Sequence, residues 1–222
     1  MDLHEALYTT RAMRRVTDAP IPLDAQARIV DAAIRAPSGG NQQGWRFVLV
    51  DDKELIAKLG PLYRDAMDQL WTTVYKDRIE AATAMPRDDA SVQFDKVRAS
   101  AQWLADHFET VPLYLIAFSR FDPSGASIYP ALWSAMLAAR AEGVGSCLTA
   151  VLSVFHHAAV LELLGVPADQ GWGMSACVSF GYPTGRWGVA PRRPVHEVTY
   201  RNRWGDPAGF EVPTPLWPPN RA

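Results

Sequence analysis

Hydrophobic and polar positions follow two different periods along this chain. Apolar residues recur at helical spacing over 23–34, and Pro37 ends that pattern. Short runs of β-forming apolar residues at 46–50 and 112–118 each predict a buried strand, and 174–182 predicts a third. Because helical and strand patterns are interspersed, the chain is predicted to form an α+β domain with several helices on a small sheet.

Start and stop signals place the remaining helices. Asp2, with Glu5 three residues later, forms a capping arrangement that opens a short helix ending near Thr10. Gly60 is predicted to end a short helix over 53–59. The other predicted helices cover 62–83, 91–109, 129–143 and 153–165.

Two segments have a less definite pattern. Residues 146–151 fit either a short strand or a loop, and 195–204 are a candidate for a fourth strand. The segment 210–222 carries too many prolines for a helix or a central strand, yet it contains Trp217. We therefore expect a main domain over 1–209 and a proline-rich arm over 210–222, which either folds back on its own domain or lies on a partner subunit.

Composition and charge narrow the class of protein. The chain has 222 residues, of which 48% are hydrophobic and 21% charged, with a formal net charge of −2. This near-neutral balance argues against a nucleic-acid surface. The longest apolar run, at 111–118, is strand-sized, and the charged N-terminus lacks the pattern of a signal peptide. No membrane association and a cytoplasmic location are therefore expected.

The two cysteines and one tryptophan are interpreted as structural. Cys147 and Cys177 have neither the spacing of metal ligands nor that of a disulfide framework, so both are expected in the core. Trp45 is also expected to be a core residue. His156 and His157 are adjacent on a predicted helix and point to different sides, which makes them a poor metal site.

Common catalytic motifs are not found. The stretch 142–150 has only two of the three glycines of a dinucleotide-binding fingerprint, and no Walker-type loop is present. Ser38 does not lie in a GxSxG context. No catalytic triad or metal cluster is predicted.

Arginines cluster at two places far apart in sequence, at 11–15 and at 192–193. Each cluster is either a solvated surface group or part of a phosphate clamp. Guanidinium groups offer a rigid fork of donors suited to phosphate, and each charge-assisted hydrogen bond contributes roughly 1.5–3 kcal/mol.

The stretch 36–47, "APSGGNQQGWRF", is richer in amides and glycines than a simple turn requires. Ser38 and Asn41 donate and accept hydrogen bonds, and Gly39 allows a ligand to approach the backbone. The planar amide of Gln43 can bind the donor and acceptor edge of a heterocycle. We therefore interpret this stretch as a ligand-binding loop.

Taken together, these segments resemble the FMN-dependent nitroreductase family. The matching stretches are "TRAMRRVTDAPIP" at 10–22, "RAPSGGNQQGWRFVLV" at 35–50, "ADHFETVPLYLIAFSR" at 105–120, "AMLAARAEGVGSCLTA" at 135–150 and "VSFGYPTGRWGVAPRRPVHEVTYRNRW" at 178–204. They occur in the order found in the family. The resemblance covers most of residues 3–204 and is weakest over 61–95.

The resemblance implies a nitroreductase-like α+β fold with a small central, mostly antiparallel sheet flanked by helices. It also implies a homodimer with two FMN sites at the subunit interface and a C-terminal segment exchanged or draped onto the partner. By position, the phosphate and ribityl chain are held by Arg11, Arg14, Arg15 and Arg192 or Arg193. The loop beside the flavin, often supplied by the partner, contains Ser38, Gly39, Asn41 and Gln43. The other face of the flavin lies near Leu148 and Thr149.

The function implied is that of an FMN-dependent oxidoreductase. NAD(P)H would act as a transient reductant and an electron-poor small molecule, of the nitroaromatic or quinone type, as acceptor in a ping-pong cycle. No catalytic side chain is needed because the flavin transfers the hydride, and Arg14 or Arg15 is the candidate that stabilises the reduced flavin. Three alternatives remain at this point: a reductive dehalogenase, an enone reductase and a non-catalytic flavin-binding protein. Residues 61–95 are expected to set the choice of acceptor.

Overall fold

The computed structural model describes residues 1–84 and 89–218, which form two compact units. The first unit combines Met1–Arg11 with the chain from Arg186 onward, and the second is Ala12–Gly185. Within the described residues the helices are α1 (Leu3–Thr9), α2 (Leu23–Ala33), α3 (Lys53–Gln69), α4 (Lys76–Ala84), α5 (Asp89–Asp106), α6 (Ile128–Ala141), α7 (Val151–Phe155) and α8 (His157–Leu163).

The second unit is built on an antiparallel sheet. Over the described part of the chain, its strands are β1 (Trp45–Val50), β2 (Leu113–Ser119), β3 (Gly145–Thr149) and β4 (Gly173–Gly181), in the spatial order β1-β2-β4-β3. Every neighbouring pair is antiparallel. The predicted α+β class and small antiparallel sheet are confirmed.

The sheet separates two hydrophobic cores, because strand side chains alternate between its faces. Leu113, Leu115 and Ala117 of β2 pack in one core with α2 and α6. Tyr114 and Ile116 point the other way, into a core shared with α3, α5, α7 and α8. All five side chains are almost fully buried, so β2 is the centre of a three-layer arrangement.

Most predicted elements are confirmed, including α1, α2, β2, α6 and β4. The Asp2 carboxylate accepts the Glu5 backbone N–H at 2.7 Å, as the capping pattern predicted. Gly143 and Gly165, just after α6 and α8, have φ values of 74° and 64°, the left-handed conformation in which glycine ends helices. The ambiguous run at 146–151 contributes β3, an edge strand.

The prediction that Gly60 ends a helix is wrong. Helix α3 starts at a cap, in which Asp52 accepts the Leu55 N–H at 2.7 Å, and continues through Gly60 and Pro61 to Gln69. Gly60 serves packing instead, since a β-carbon there would collide with the Glu109 carboxylate.

Three other predicted elements are divided or shifted. The helix predicted over 62–83 is interrupted by a π-helical turn at Leu70–Val74, closed by a hydrogen bond from Tyr75 N to Leu70 O at 3.1 Å. The helix predicted over 91–109 ends at Asp106, and a 3₁₀ turn follows at Phe108–Thr110. The helix predicted over 153–165 breaks at His156, whose φ of −131° is not helical.

Two strand predictions also need correction. The run at 46–50 is not buried throughout: β1 lies at the sheet edge, and within it only Trp45 and Val50 are buried. The candidate strand at 195–204 is wrong. Those residues form a 3₁₀ turn at Val195–Val198 and an isolated bridge from Tyr200 to Pro207, because no neighbouring strand pairs with them.

The predicted core residues Trp45, Cys147 and Cys177 are confirmed as buried. In the first unit, the rings of Tyr8 and Trp217 lie 5.9 Å apart, and Ala190 N donates to Tyr8 O at 3.1 Å. The tail therefore packs on α1, while its predicted role on a partner subunit stays a prediction. No helix among residues 1–84 and 89–218 has the length and hydropathy needed to span a membrane.

Candidate functional site

The segment 12–17 is held against the ends of β3 and β4. Met13 N donates to Ser146 O at 2.9 Å, and Thr17 N donates to Tyr182 O at 2.8 Å. Ala12 also bridges Ser146 in parallel orientation. Arg14 and Arg15 are therefore carried by backbone that is fixed to the sheet.

Two glycines allow this close approach. A β-carbon on Gly145 would lie 2.8 Å from Met13 Cβ, and one on Gly181 would lie 2.6 Å from Val16 Cγ2. Both distances are shorter than van der Waals contact, so any larger residue would push the segment away from the strands. Glycine at these two positions is a steric requirement for placing Arg14.

Arg14 and Arg15 face different surroundings. Arg14 is half-buried, lines a cavity of about 410 Å³ and donates from Nη1 to Ser100 Oγ at 3.3 Å. Arg15 is exposed, and its guanidinium carbon lies 5.5 Å from the centre of the Trp103 ring. We call the cavity beside Arg14 the Arg14 cavity. Its other lining residues are Tyr63, Met67, Leu70, Trp71, Tyr75, Arg78, Gln93, Phe94, Val97, Ala101, Cys147, Leu148, Thr149 and Val151.

Aromatic side chains form one side of the Arg14 cavity. The Trp71 and Tyr75 rings lie 5.5 Å apart, and the Tyr75 and Phe94 rings 5.8 Å apart. Trp71 belongs to the π-helical turn, and Tyr75 follows it directly. The irregular turn therefore directs two rings into the same cavity.

Strand β3 contributes Cys147, Leu148 and Thr149 to the lining. The Tyr63 hydroxyl donates to Thr149 Oγ1 at 3.5 Å, and burial raises the pKa of Tyr63 well above its usual range. Burial likewise raises the pKa of the Cys147 thiol, although the charge of Arg14 opposes the shift. At neutral pH both groups are protonated, so neither acts as an anionic nucleophile or base.

The charge of the lining is entirely positive. Arg14 and Arg78 both line the Arg14 cavity, and none of its described lining residues is acidic. Flat apolar rings, two guanidinium groups and the hydroxyl of Thr149 together suit a planar ligand that carries negative charge.

The amide-rich loop lines a different cavity. Gly40, Asn41 and Gln43 have φ values of 57°, 53° and 49°, all left-handed. Ser38 Oγ accepts the Gln43 N–H at 3.1 Å, and Gln43 Nε2 donates to Asn41 Oδ1 at 3.2 Å. The side-chain amides of Asn41 and Gln43 thus bond to each other and remain exposed.

This second cavity has a volume of about 500 Å³ and includes Ser38, Gly39 and the chain from Arg120 to Ser127. Gly39 N donates to Ser127 Oγ at 3.3 Å, and a β-carbon on Gly39 would meet open space. The second cavity shares no lining residue with the Arg14 cavity. One chain does not bring the loop and Arg14 into a single cavity.

The remaining predicted arginines belong to the first unit. Arg11 donates from Nη2 to Arg186 O at 3.0 Å, and Arg192 donates from Nη1 to Pro191 O at 2.8 Å. Arg192 and Arg193 line a cavity of about 390 Å³ formed by that unit. Their convergence with Arg14 on one phosphate stays a prediction.

Sequence reasoning missed the wall formed by Trp71, Tyr75 and Arg78. Trp71 and Tyr75 are four positions apart, and Arg78 follows three positions later. Met67 precedes Trp71 by four positions, so all four residues have the spacing of one helical face. That signal could have identified the wall. It was obscured because the resemblance to the family is weakest over 61–95.

Comparison with known proteins agrees with the geometry. A family model described as the nitroreductase family matches residues 7–182. A crystal structure of oxidized iodotyrosine deiodinase bound to FMN and 3-iodo-L-tyrosine has a TM-score of 0.70 at 22% identity, covering 91% of this chain and 99% of that one. A variant of the FMN- and NADPH-dependent nitroreductase NfnB from sphigopyxis sp. strain HMH has a TM-score of 0.67 at 23% identity, covering 92% and 100%.

Curated relatives are more distant in sequence. Iodotyrosine deiodinase 1 of Rattus norvegicus is 22% identical over 119 residues, which are 54% of this chain and 37% of that protein. A putative NADH dehydrogenase/NAD(P)H nitroreductase of Archaeoglobus fulgidus is 37% identical over 57 residues, 26% of this chain and 33% of that protein. The chain thus spans about a third of the length of these two relatives. Protein DrgA of Synechocystis sp. is 26% identical over 174 residues, 78% of this chain and 81% of DrgA.

The family match covers well over half of the chain and includes the sheet, the segment that carries Arg14 and the amide-rich loop. The four-stranded antiparallel sheet and its flanking helices agree with the structural neighbours. This protein belongs to the nitroreductase family.

Proposed function

We propose that this protein is an FMN-dependent oxidoreductase that uses NAD(P)H to reduce an electron-poor small molecule of the nitroaromatic or quinone type. The observation that carries the proposal is the Arg14 cavity in a chain of the nitroreductase family. The cavity combines a half-buried guanidinium, aromatic walls and a lining without a described acidic residue.

These features fit FMN. A phosphate-bearing, planar cofactor needs cations and flat apolar contacts, and it would be repelled by carboxylates. Arg14, Leu148 and Thr149 would lie beside the ring system and the ribityl chain. The phosphate would be held by Arg11, Arg15 and Arg192 or Arg193.

A homodimer is part of the proposal. Ser38 and Gly39 line a different cavity from Arg14 within one chain, and Asn41 and Gln43 belong to the same loop but line neither cavity. In a dimer, the same loop from the partner subunit would complete the flavin site. This arrangement would give a role to the exposed side-chain amides of Asn41 and Gln43, which bond to each other within the protomer.

FMN, when bound, supplies the hydride acceptor and donor that couples oxidation of NAD(P)H to reduction of the second substrate. For a nitro compound the net change uses one NAD(P)H and one proton, breaks an N–O bond and releases water, leaving a nitroso product and NAD(P)⁺. The protein's part is to bind, to orient and to exclude water. The protonated Tyr63 and Cys147 are consistent with a site that needs no protein nucleophile.

Reductive dehalogenation is the second candidate, favoured by the structural similarity to iodotyrosine deiodinase. There NAD(P)H would replace a carbon–iodine bond by carbon–hydrogen and release iodide. An iodotyrosine also carries an ammonium group, for which a carboxylate is the usual partner. The described lining of the Arg14 cavity offers none, so we place this candidate second.

The test begins with the absorption spectrum of the purified protein before and after addition of FMN. A bound-flavin spectrum is expected, followed by oxidation of NADH or NADPH that a nitroaromatic or a quinone accelerates. Iodotyrosine is tested in parallel. If no flavin binds, the proposal fails; if flavin binds but no acceptor speeds oxidation, a non-catalytic flavin-binding role replaces it.

A further inference from the structure

We propose that the acceptor is an aromatic acid, whose ring lies against the aromatic side chains of the Arg14 cavity and whose carboxylate pairs with Arg78. This inference rests on the proposed function and specifies its substrate class. It is carried by side chains from two helices that flank the cavity.

Arg78 is placed to bind an anion. Its guanidinium carbon lies 4.1 Å from the centre of the Phe94 ring, so α4 and α5 meet at this point. A guanidinium stacked on a ring keeps its donors at the edge of the plane available for a carboxylate. No ion pair joins Arg78 to an acidic residue within 1–84 or 89–218.

Arg14 and Arg78 have different tasks in this arrangement. Arg14 is half-buried on the segment fixed to β3, where the proposed cofactor lies. Arg78 is exposed on α4 and lies over the ring of the buried Phe94 on α5. With Arg14 occupied by the cofactor, Arg78 is the guanidinium left for the second substrate.

The aromatic walls define the rest of the substrate. Trp71, Tyr75 and Phe94 form a continuous series of ring contacts that suits a flat apolar body. The described lining contains no acidic group to pair with an ammonium. A ring bearing a carboxylate therefore matches the cavity better than a neutral ring or an amino acid.

The test compares 4-nitrobenzoate with the neutral 4-nitrobenzamide in the wild type and in Arg78→Gln. The flavin-loaded protein is reduced with dithionite, so that NAD(P)H is not present, and reoxidation by each compound is followed by stopped flow. Arg78→Gln is expected to slow reoxidation by 4-nitrobenzoate at limiting concentration about tenfold, and reoxidation by 4-nitrobenzamide less than twofold. Because each compound is compared between two enzymes, its intrinsic reducibility cancels.

Arg98→Gln is the matched control. Arg98 is an exposed arginine on α5, 5.8 Å from the centre of the Trp71 ring, and it does not line the Arg14 cavity. Its substitution is expected to leave both rates unchanged. Equal losses with the two compounds in Arg78→Gln, or equal losses with 4-nitrobenzoate in the two variants, would overturn the inference.

A binding measurement separates this inference from the proposed function. Calorimetric titration with benzoate and benzamide, which are not reduced, reports on Arg78 without turnover. Preferential binding of benzoate that is lost in Arg78→Gln supports the anion site even if no nitro compound is reduced, in which case the proposed reaction alone fails. Reduction of both nitro compounds without any preference for benzoate binding refutes the anion site alone.

Discussion

Two neighbouring arginines of this protein differ in burial and in their surroundings. Arg14 and Arg15 are adjacent in sequence, yet one is half-buried in a cavity and the other lies exposed beside Trp103. Arg14 Nη1 donates to Ser100 Oγ inside the cavity, whereas the Arg15 guanidinium lies over the Trp103 ring. The sequence predicted an arginine cluster, but only the pairing of residues 12–17 with the strands distinguishes its members.

Arg14→Gln is expected to weaken FMN binding by about 2 kcal/mol, the typical contribution of a charged hydrogen bond. The glutamine retains some hydrogen-bonding capacity but loses the charge. Titration of the protein with FMN, followed by quenching of flavin fluorescence, measures the change in Kd. Arg35→Gln is the control, because Arg35 is exposed and pairs with Asp31 on α2. Similar dissociation constants for Arg14→Gln and the wild type would contradict the role given to Arg14.

Among the structural elements, the segment 12–17 contributes to the site because it carries Arg14. It makes hydrogen bonds to the ends of β3 and β4, and glycines at 145 and 181 let it lie directly against them. The position of this segment depends on the absence of a β-carbon at Gly145 and Gly181. A larger side chain at either glycine would therefore displace the backbone that carries Arg14.

Gly181→Ala is expected to lower the free energy of unfolding by about 2 kcal/mol, the usual cost of overpacking a close contact. The added methyl group would lie 2.6 Å from Val16 Cγ2 and displace the segment that carries Arg14. Urea denaturation measures the stability, and FMN titration measures the accompanying loss of affinity.

Gly185→Ala is the control for that substitution. Its β-carbon would have no atom within 4 Å, and no positive φ is recorded there. Stability and FMN affinity close to those of the wild type are therefore expected. Equal effects of the two substitutions would show that the close approach at Gly181 is not what holds the segment.

Elements with strong local signals could be predicted from the sequence. The Asp2 cap and the helix-ending glycines at 143 and 165 act through a few neighbouring residues, and all three were predicted correctly. Gly60 carries a similar local signal, but α3 continues through it to Gln69, with the Glu109 carboxylate next to Gly60. Whether a helix ends at such a glycine depends on tertiary contacts, which cannot be predicted from the local sequence.

In the candidate site, too, some residues could be predicted from the sequence and others could not. Arg14, Leu148 and Thr149 were predicted by resemblance, and the structure places all three in one cavity. The wall formed by Trp71 and Tyr75 was missed, although both residues have the spacing of one helical face, because the resemblance to the family is weakest over 61–95. The strand predicted at 195–204 failed because a strand requires a partner strand, which local sequence does not reveal.

For the whole molecule, the tail is the segment with a predicted role in assembly. Its Trp217 ring packs against Tyr8 of α1, 5.9 Å away, within the first unit. A tryptophan held by aromatic contact rather than by secondary structure is suited to anchoring an extended arm. The proposed dimer gives such an arm a function.

Deletion of residues 210–222 is expected to raise the dissociation constant of the proposed dimer at least tenfold, which corresponds to about 1.4 kcal/mol. Sedimentation velocity over a range of protein concentrations measures the change. Truncation after Pro218 is the control, since it keeps Trp217 and its contact with Tyr8. Sedimentation profiles that are the same for the full chain and the 210–222 deletion would rule out the arm as a dimer element.

The glycine contacts beneath residues 12–17 also bear on how the protein is made. Arg14 leaves the ribosome early, whereas Gly145 and Gly181, which form the surface that receives its segment, are synthesised much later. The segment has nothing to dock against until β3 and β4 have paired, and closing so long a loop is entropically slow. We expect the segment that carries Arg14 to settle only after β3 and β4 have been made, so that a nascent chain gains affinity for the proposed flavin only once Gly181 has been synthesised.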